Sequence, residues 1–158
     1  MKNGYQIALK INLPEEPGCS GSNSNQWKGI WSLALPEKIK IFLWRASNNL
    51  LPTAENLWRR KIIQDPIFQR CRRSIESISH ALLICKPAKK IWNHAPFPVN
   101  KYEFYSQDIF TIIQDMSIRF RKADIELMAA YLWVSWYARN KFLFDGKNLK
   151  PSILTAKA

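Results

Sequence analysis

Residues 35–61 read LPEKIKIFLWRASNNLLPTAENLWRRK, and this stretch decides the fold class. Pro36 suits the first turn of a helix, where its missing N–H is not needed. Beyond it Ile39, Phe42, Leu43, Ala46 and Leu50 recur at helical spacing, with Lys38, Lys40 and Arg45 off that stripe, so the pattern predicts an amphipathic helix. Asn48 and Asn49 weaken it, and Pro52 forces a break at which Leu51 becomes extended. Thr53 can then cap a second helix. Glu55 falls in its first turn and Arg59, Arg60 and Lys61 in its last, the order the helix dipole favours.

Working outward, the same reading predicts helices almost everywhere. Upstream, Trp27, Ile30 and Trp31 mark where order resumes after a Pro-, Gly-, Ser- and Asn-rich run from Pro14 to Asn25. Tyr5 to Ile11 alternates loosely and suits a short strand or a helix end. Downstream, Asp65 and Pro66 open a turn-rich stretch to about Ser74, and Ser77 or Ser79 can cap a short helix through Leu83. Pro87 begins another, anchored by Ile91 and Trp92. Ile109, Ile112, Ile113 and Met116 predict a helix from about Ser106, and Leu127 to Trp136 a longer one from about Asp124, ended by Asp145 and Gly146. No strand pattern is strong enough for a large sheet. The expected organisation is a lead-in segment and flexible linker at 1–26, a small helical domain at 27–95, and a helical linker region at 96–158.

The chain has 158 residues, enough for one core, and 47% of them are hydrophobic, which argues against a wholly disordered chain. Seven tryptophans are many for this length, and burial is expected to account for most of them. Charge is the more telling feature: 24 Lys and Arg stand against 12 Asp and Glu, a net +12. Between Lys38 and Lys90 there are 12 basic residues and three acids, Glu55, Asp65 and Glu76, so +9 lies in one third of the chain. Such an excess attracts polyanions, although a solvated surface that keeps the protein soluble would look the same. Three cysteines, Cys19, Cys71 and Cys85, cannot all pair within one chain, which points to a reducing, intracellular location, nucleus or cytoplasm. The longest apolar stretch, Ile125 to Ala138, is too short for a membrane span.

Cys71, His80 and Cys85 lie within fifteen residues. Zinc is held by soft thiolates and neutral imidazole in sets of four, usually with one pair on a tight turn. Here Phe68 stands where the first cysteine of such a turn would be, leaving three conventional donors. Asp65 or His94 would have to supply the fourth, and nothing in their spacing compels it. A buried pair of thiols beside a hydrogen-bonded histidine fits the same spacing. A nucleophile built from Cys71 with His80 or His94 has no spacing in its favour.

Taken in order, Trp27, Ile30, Trp31, Leu35-Pro36, the run Lys38 to Ala46, Leu51-Pro52-Thr53, Asn56-Leu57 and Arg59-Arg60 resemble the zinc-binding domain that follows the reverse transcriptase in plant non-LTR (LINE-type) retrotransposon polyproteins. Glu76-Ser77, His80, Leu83, Cys85, Ala88 and Trp92 are similar to the end of that domain. Tyr5-Gln6-Ile7 is similar to its lead-in, and Trp136, Arg139, Asn140 and Phe144 to the linker before a ribonuclease H domain. The resemblance implies a small helical domain around a Cys/His zinc-binding turn, with Cys71, His80 and Cys85 as metal ligands and the fourth ligand lost at Phe68. Arg72 stands where a glycine commonly follows. Zinc is therefore implied by the resemblance and opposed by the missing donor.

The functional expectation is a non-catalytic nucleic-acid-binding domain. Phosphates of RNA or DNA would be contacted, with weak sequence preference, by Lys38, Lys40, Arg59, Arg60, Lys61, Arg70, Arg72, Arg73, Lys86, Lys89 and Lys90. Trp58, beside Arg59 and Arg60, is the candidate for base stacking, whereas Trp44 is expected in the core. The chain lacks the paired aspartates of a polymerase and the acidic quartet of a ribonuclease H. The alternatives are a helical protein-contact spacer docking on polymerase or ribonuclease H neighbours, and a retroelement remnant without a selected role.

Overall fold

The computed structural model describes residues 24–96 and 108–152, with side chains from Lys28 onward. The expected lead-in segment, the linker up to Asn23, the helix start at Ser106 and Cys19 lie outside the described residues, whereas Ser24, Asn25 and Gln26, expected as the end of the linker, open the first helix. Within them are six α-helices and one π-helical turn: α1 (Ser24–Trp31), α2 (Glu37–Ser47), α3 (Ala54–Arg59), the π turn (His80–Ile84), α4 (Lys86–Trp92), α5 (Ile109–Arg119) and α6 (Lys122–Asp145). Among the described residues β-pairing is limited to an isolated antiparallel bridge between Ile67 and Ile75. The fold is mainly helical, with the Cys/His group in the connection from α3 to α4.

Local chemistry accounts for the helix limits. Pro36 sits just outside α2, and its carbonyl accepts from the Ile39 and Lys40 N–H groups. Asn49 ends that helix in the left-handed region, at φ 55°. The Thr53 hydroxyl accepts from the Asn56 N–H and caps α3. Asn56 is buried, and its amide donates to the carbonyls of Asn49 and Leu51 and to the Asn49 side chain, which pins the break between α2 and α3. Asp108 caps α5 through the Thr111 N–H, so this helix begins at Ile109. Gly146, at φ 64°, stops α6.

Helix α6 organises the packing. A run of buried residues from Met128 to Leu132, resumed from Val134 to Trp136, covers all of its faces, as a central helix requires. It meets α2, α4, α5 and the π turn, and one hydrophobic cluster runs through all of them. Phe42 of α2 packs edge-on against Trp133, ring centroids 5.4 Å apart. Trp92 of α4 lies 5.5 Å from Tyr131 and donates through Nε1 to the Leu82 carbonyl, while the Tyr131 hydroxyl donates to the His94 carbonyl. The Ala34 N–H donates to Glu126.

The tryptophans correct one expectation. Trp92 and Trp136 are buried and Trp133 is partly so, but Trp31, Trp44 and Trp58 are exposed. Trp44 falls one position off the buried stripe of Ile39, Phe42, Leu43 and Ala46, which turns it to solvent rather than into the core.

Candidate metal centre

Three pieces of local structure bring Cys71, His80 and Cys85 together. Cys71 lies on a tight turn built on the Phe68 carbonyl, which accepts from the N–H groups of both Cys71 and Arg72. Arg72 closes that turn at φ 53°, in the left-handed region that glycine enters without strain and that costs other residues about 1–2 kcal/mol. His80 and Cys85 bound the π turn, where the Cys85 N–H donates to the His80 carbonyl at 2.9 Å. Five residues apart on an α-helix would stand about 140° from one another around the axis. The wider i→i+5 turn lets both face the same point, in keeping with the frequent use of π turns at functional sites. The ligand atoms of the three residues all lie within 4.8 Å of one another, with Cys71 Sγ 3.4 Å from His80 Nε2.

The surroundings favour the neutral forms. Burial holds the His80 imidazole below its ordinary range, opposed by Glu76 and reinforced by Lys89, so a lone pair remains available at neutral pH. Burial pushes the Cys85 thiol up to about 12, aided by Cys71 and opposed by Arg70. A metal ion would have to displace that proton. In the metal-free protein the folded thiol therefore ionises later than the unfolded one, and stability should fall as pH rises from about 9 towards 12. A companion prediction concerns reactivity: mass spectrometry after iodoacetamide treatment should find Cys71 alkylated first and Cys85, only 2% exposed, modified after unfolding. Equal rates in the native protein would contradict this placement.

Among the described residues the fourth corner holds no donor. Phe68, 1% exposed, packs its ring edge-on against the His80 imidazole, with centroids 5.9 Å apart. The two alternatives weighed from sequence are engaged elsewhere: Asp65 Oδ1 accepts from the Ile67 N–H, and the exposed His94 ring pairs with the Lys90 carbonyl. The residues fit zinc at three positions and not at the fourth, since a phenyl ring has no lone pair to give.

Against known proteins, the sequence profile of the family described as zinc-binding in reverse transcriptase matches residues 5–92. The chain belongs to this reverse transcriptase zinc-binding family. A relative in Arabidopsis thaliana, named "Putative ribonuclease H protein At1g65750", is 29% identical over 154 residues. That alignment takes in 95% of this chain and 24% of the relative, so the chain spans about a quarter of the relative's length. No solved structure matches. In this reverse transcriptase zinc-binding domain the described residues bring Cys71, His80 and Cys85 together as a group of three.

The basic residues are placed as follows. Arg60, Lys61, Arg72, Arg73, Lys86 and Lys90 are exposed, as is Lys38, whose Nζ stands 5.9 Å from the Trp133 ring. Arg59 is tied to Glu55 at 2.7 Å and Lys40 to Glu37 at 3.1 Å. Arg70 is half-buried, donates to Asn148 and lies over the Phe142 ring, and Lys89 is half-buried. Trp58 is 48% exposed at the end of α3.

The residues that hold the domain's loop in place were not legible as a pair. Glu76, 1% exposed, accepts from Arg139 of α6 through both carboxylate oxygens at 2.7 Å and from the Ala54 N–H at 2.6 Å. Its own N–H donates to the Pro66 carbonyl, and its carbonyl accepts from the Glu55 N–H. One residue thereby joins α3, the loop carrying Phe68 and Cys71, and α6. The sequence signal was present, since no other carboxylate lies between Asp65 and Lys90, but its partner 63 residues away had no signature.

Proposed function

We propose that this chain is a non-catalytic nucleic-acid-binding domain derived from a retrotransposon polyprotein, from the segment between reverse transcriptase and ribonuclease H. It would act inside the cell, in nucleus or cytoplasm. The observation that carries the reading is the exposure of Arg60 and Lys61 after α3, and of Arg72 and Arg73 in the loop before the π turn, together with the half-exposed Trp58 ring. Phosphate contacts from such side chains position a polyanion without reading its bases, and an aromatic face adds stacking on unpaired bases. Family membership supports a role beside a polymerase rather than chemistry of the domain's own, and the relative's name supports a ribonuclease H neighbour. Residues 27–95 would form the family domain and 96–158 the helical linker region.

The test is a fluorescence titration with single-stranded RNA and DNA at several salt concentrations. Affinity should fall steeply as salt rises, and replacing Arg60, Lys61, Arg72 and Arg73 by glutamine should flatten that dependence by about four counterions. Trp58→Ala should cost about 1–3 kcal/mol on unpaired bases and little on a duplex. Binding that ignores salt would sink the proposal.

A second reading, a protein-contact spacer, is favoured by the groove between α1, α2, α5 and α6. It encloses about 570 Å³ and lies beside the exposed Ile118. Apolar self-association that persists in high salt, seen by light scattering, would support it over phosphate binding. Among the described residues no helix is long and apolar enough to cross a membrane.

A further inference from the structure

We infer that this site has exchanged a tetrahedral zinc centre for a three-coordinate pocket that selects copper(I), and that Phe68 is the residue that sets the preference. The donors are two thiols and an imidazole, gathered within 4.8 Å, a set soft enough for either ion. Zinc in structural sites is almost always four-coordinate. Copper(I), a closed-shell monovalent ion, is satisfied by two or three soft donors, which is what the chain offers.

The fourth corner is firmly closed. The Phe68 ring is 1% exposed against His80, and its backbone is held at both ends, donating to the Ser74 carbonyl and accepting from Cys71 and Arg72. Moving it aside to admit water would expose a large apolar side chain. Charge supplies a second, independent argument. Two thiolates neutralise a divalent ion but leave a monovalent one with a residual negative charge, which is costly to bury unless paired. Arg70 is placed to offset it: its charge acts on Cys85, and its Nε is buried without a hydrogen-bond partner among the described residues. Binding releases two thiol protons and transfers no electron, so no oxidant or reductant is consumed.

The experiment uses the full chain in a Cys19→Ser background, under anaerobic conditions and without nucleic acid, so its outcome is independent of the polyanion proposal. Copper(I) is supplied from a bicinchoninate complex and zinc from a chromophoric indicator. Expected are one copper(I) per chain, a thiolate-to-copper charge-transfer absorption, and X-ray absorption showing two sulfurs and one nitrogen. Phe68→Cys should raise zinc affinity by at least about 100-fold, since losing an outer-shell partner alone costs about 10–100-fold. Cys71→Ser, at a half-exposed position, should abolish copper uptake while circular dichroism shows the helices intact. Arg70→Gln should weaken copper(I) in the parent but not the parent's weaker zinc binding, because two thiolates already neutralise a divalent ion. The inference is overturned if the parent binds zinc as tightly as Phe68→Cys, if copper uptake survives Cys71→Ser, if the copper is four-coordinate, or if Arg70→Gln affects both ions alike.

Discussion

Arg139→Met is expected to lower the unfolding free energy by about 3–5 kcal/mol, the cost of stranding a buried charge by removing its partner. The Glu76 carboxylate, 1% exposed, would keep only the Ala54 N–H at 2.6 Å and lose two charge-assisted bonds of 2.7 Å. Arg139 also donates to the Pro52 carbonyl and to Asn140, and its guanidinium lies 4.6 Å from the Trp136 ring, so the variant loses an organising centre as well as an ion pair. Against a typical total of about 5–15 kcal/mol, this leaves little margin. Urea unfolding checks it, and a shift below about 1 kcal/mol would mean that the pair is not the structural tie its geometry indicates. The double variant Glu76→Met/Arg139→Met should be less destabilised than the sum of its parts, because neither charge is then left alone. The same reasoning predicts that a chain stopped at Trp92, where the family match ends, will not fold cooperatively. It would leave Glu76 without its cation and the π turn without the wall that α6 provides.

The second large effect is expected at Phe68. Truncation to alanine removes a nearly inaccessible ring from the floor of the Cys/His turn and should cost about 3–5 kcal/mol. Phe68→Cys should be similarly destabilised without metal, yet recover when zinc is added. An ion that binds only the native state contributes about 4 kcal/mol at a free concentration about 1,000 times its Kd. Thermal melts of the two variants with and without zinc separate the two roles of this position. The expected result is that Phe68→Ala stays low in both conditions and Phe68→Cys rises in one. Recovery of both, or of neither, would count against the assignment of Phe68 to the fourth ligand position.

These variants also show why the site was only partly readable beforehand. The grouping of Cys71, His80 and Cys85 is visible in the sequence as residue types at close spacing, and Arg72 as a departure from the glycine the resemblance implies. The positive φ at Arg72 supplies the reason glycine suits that position: the turn after Cys71 must enter the left-handed region to return the chain to Ser74. Spacing could not show that His80 and Cys85 face one point, because on an ordinary helix they would not; the π turn is a tertiary accommodation. Trp44 shows the opposite failure. Its place beside an apolar stripe predicts a core position, but one step along a helix is a turn of about 100°, and the ring is exposed.

From sequence alone came whatever depends on near neighbours in the chain: the helical period of α2, the Thr53 cap, the Gly146 stop, the basic run on α3 and the donor set around Cys71. Such features are written within one or two turns, and the chain needs no distant partner to express them. The tertiary structure decided the rest. It chose which tryptophans are buried, drew α6 into the core beside the π turn, and joined Glu76 to Arg139 across 63 residues. Those outcomes turn on which surfaces meet, and desolvation energies of that kind have no local signature to read.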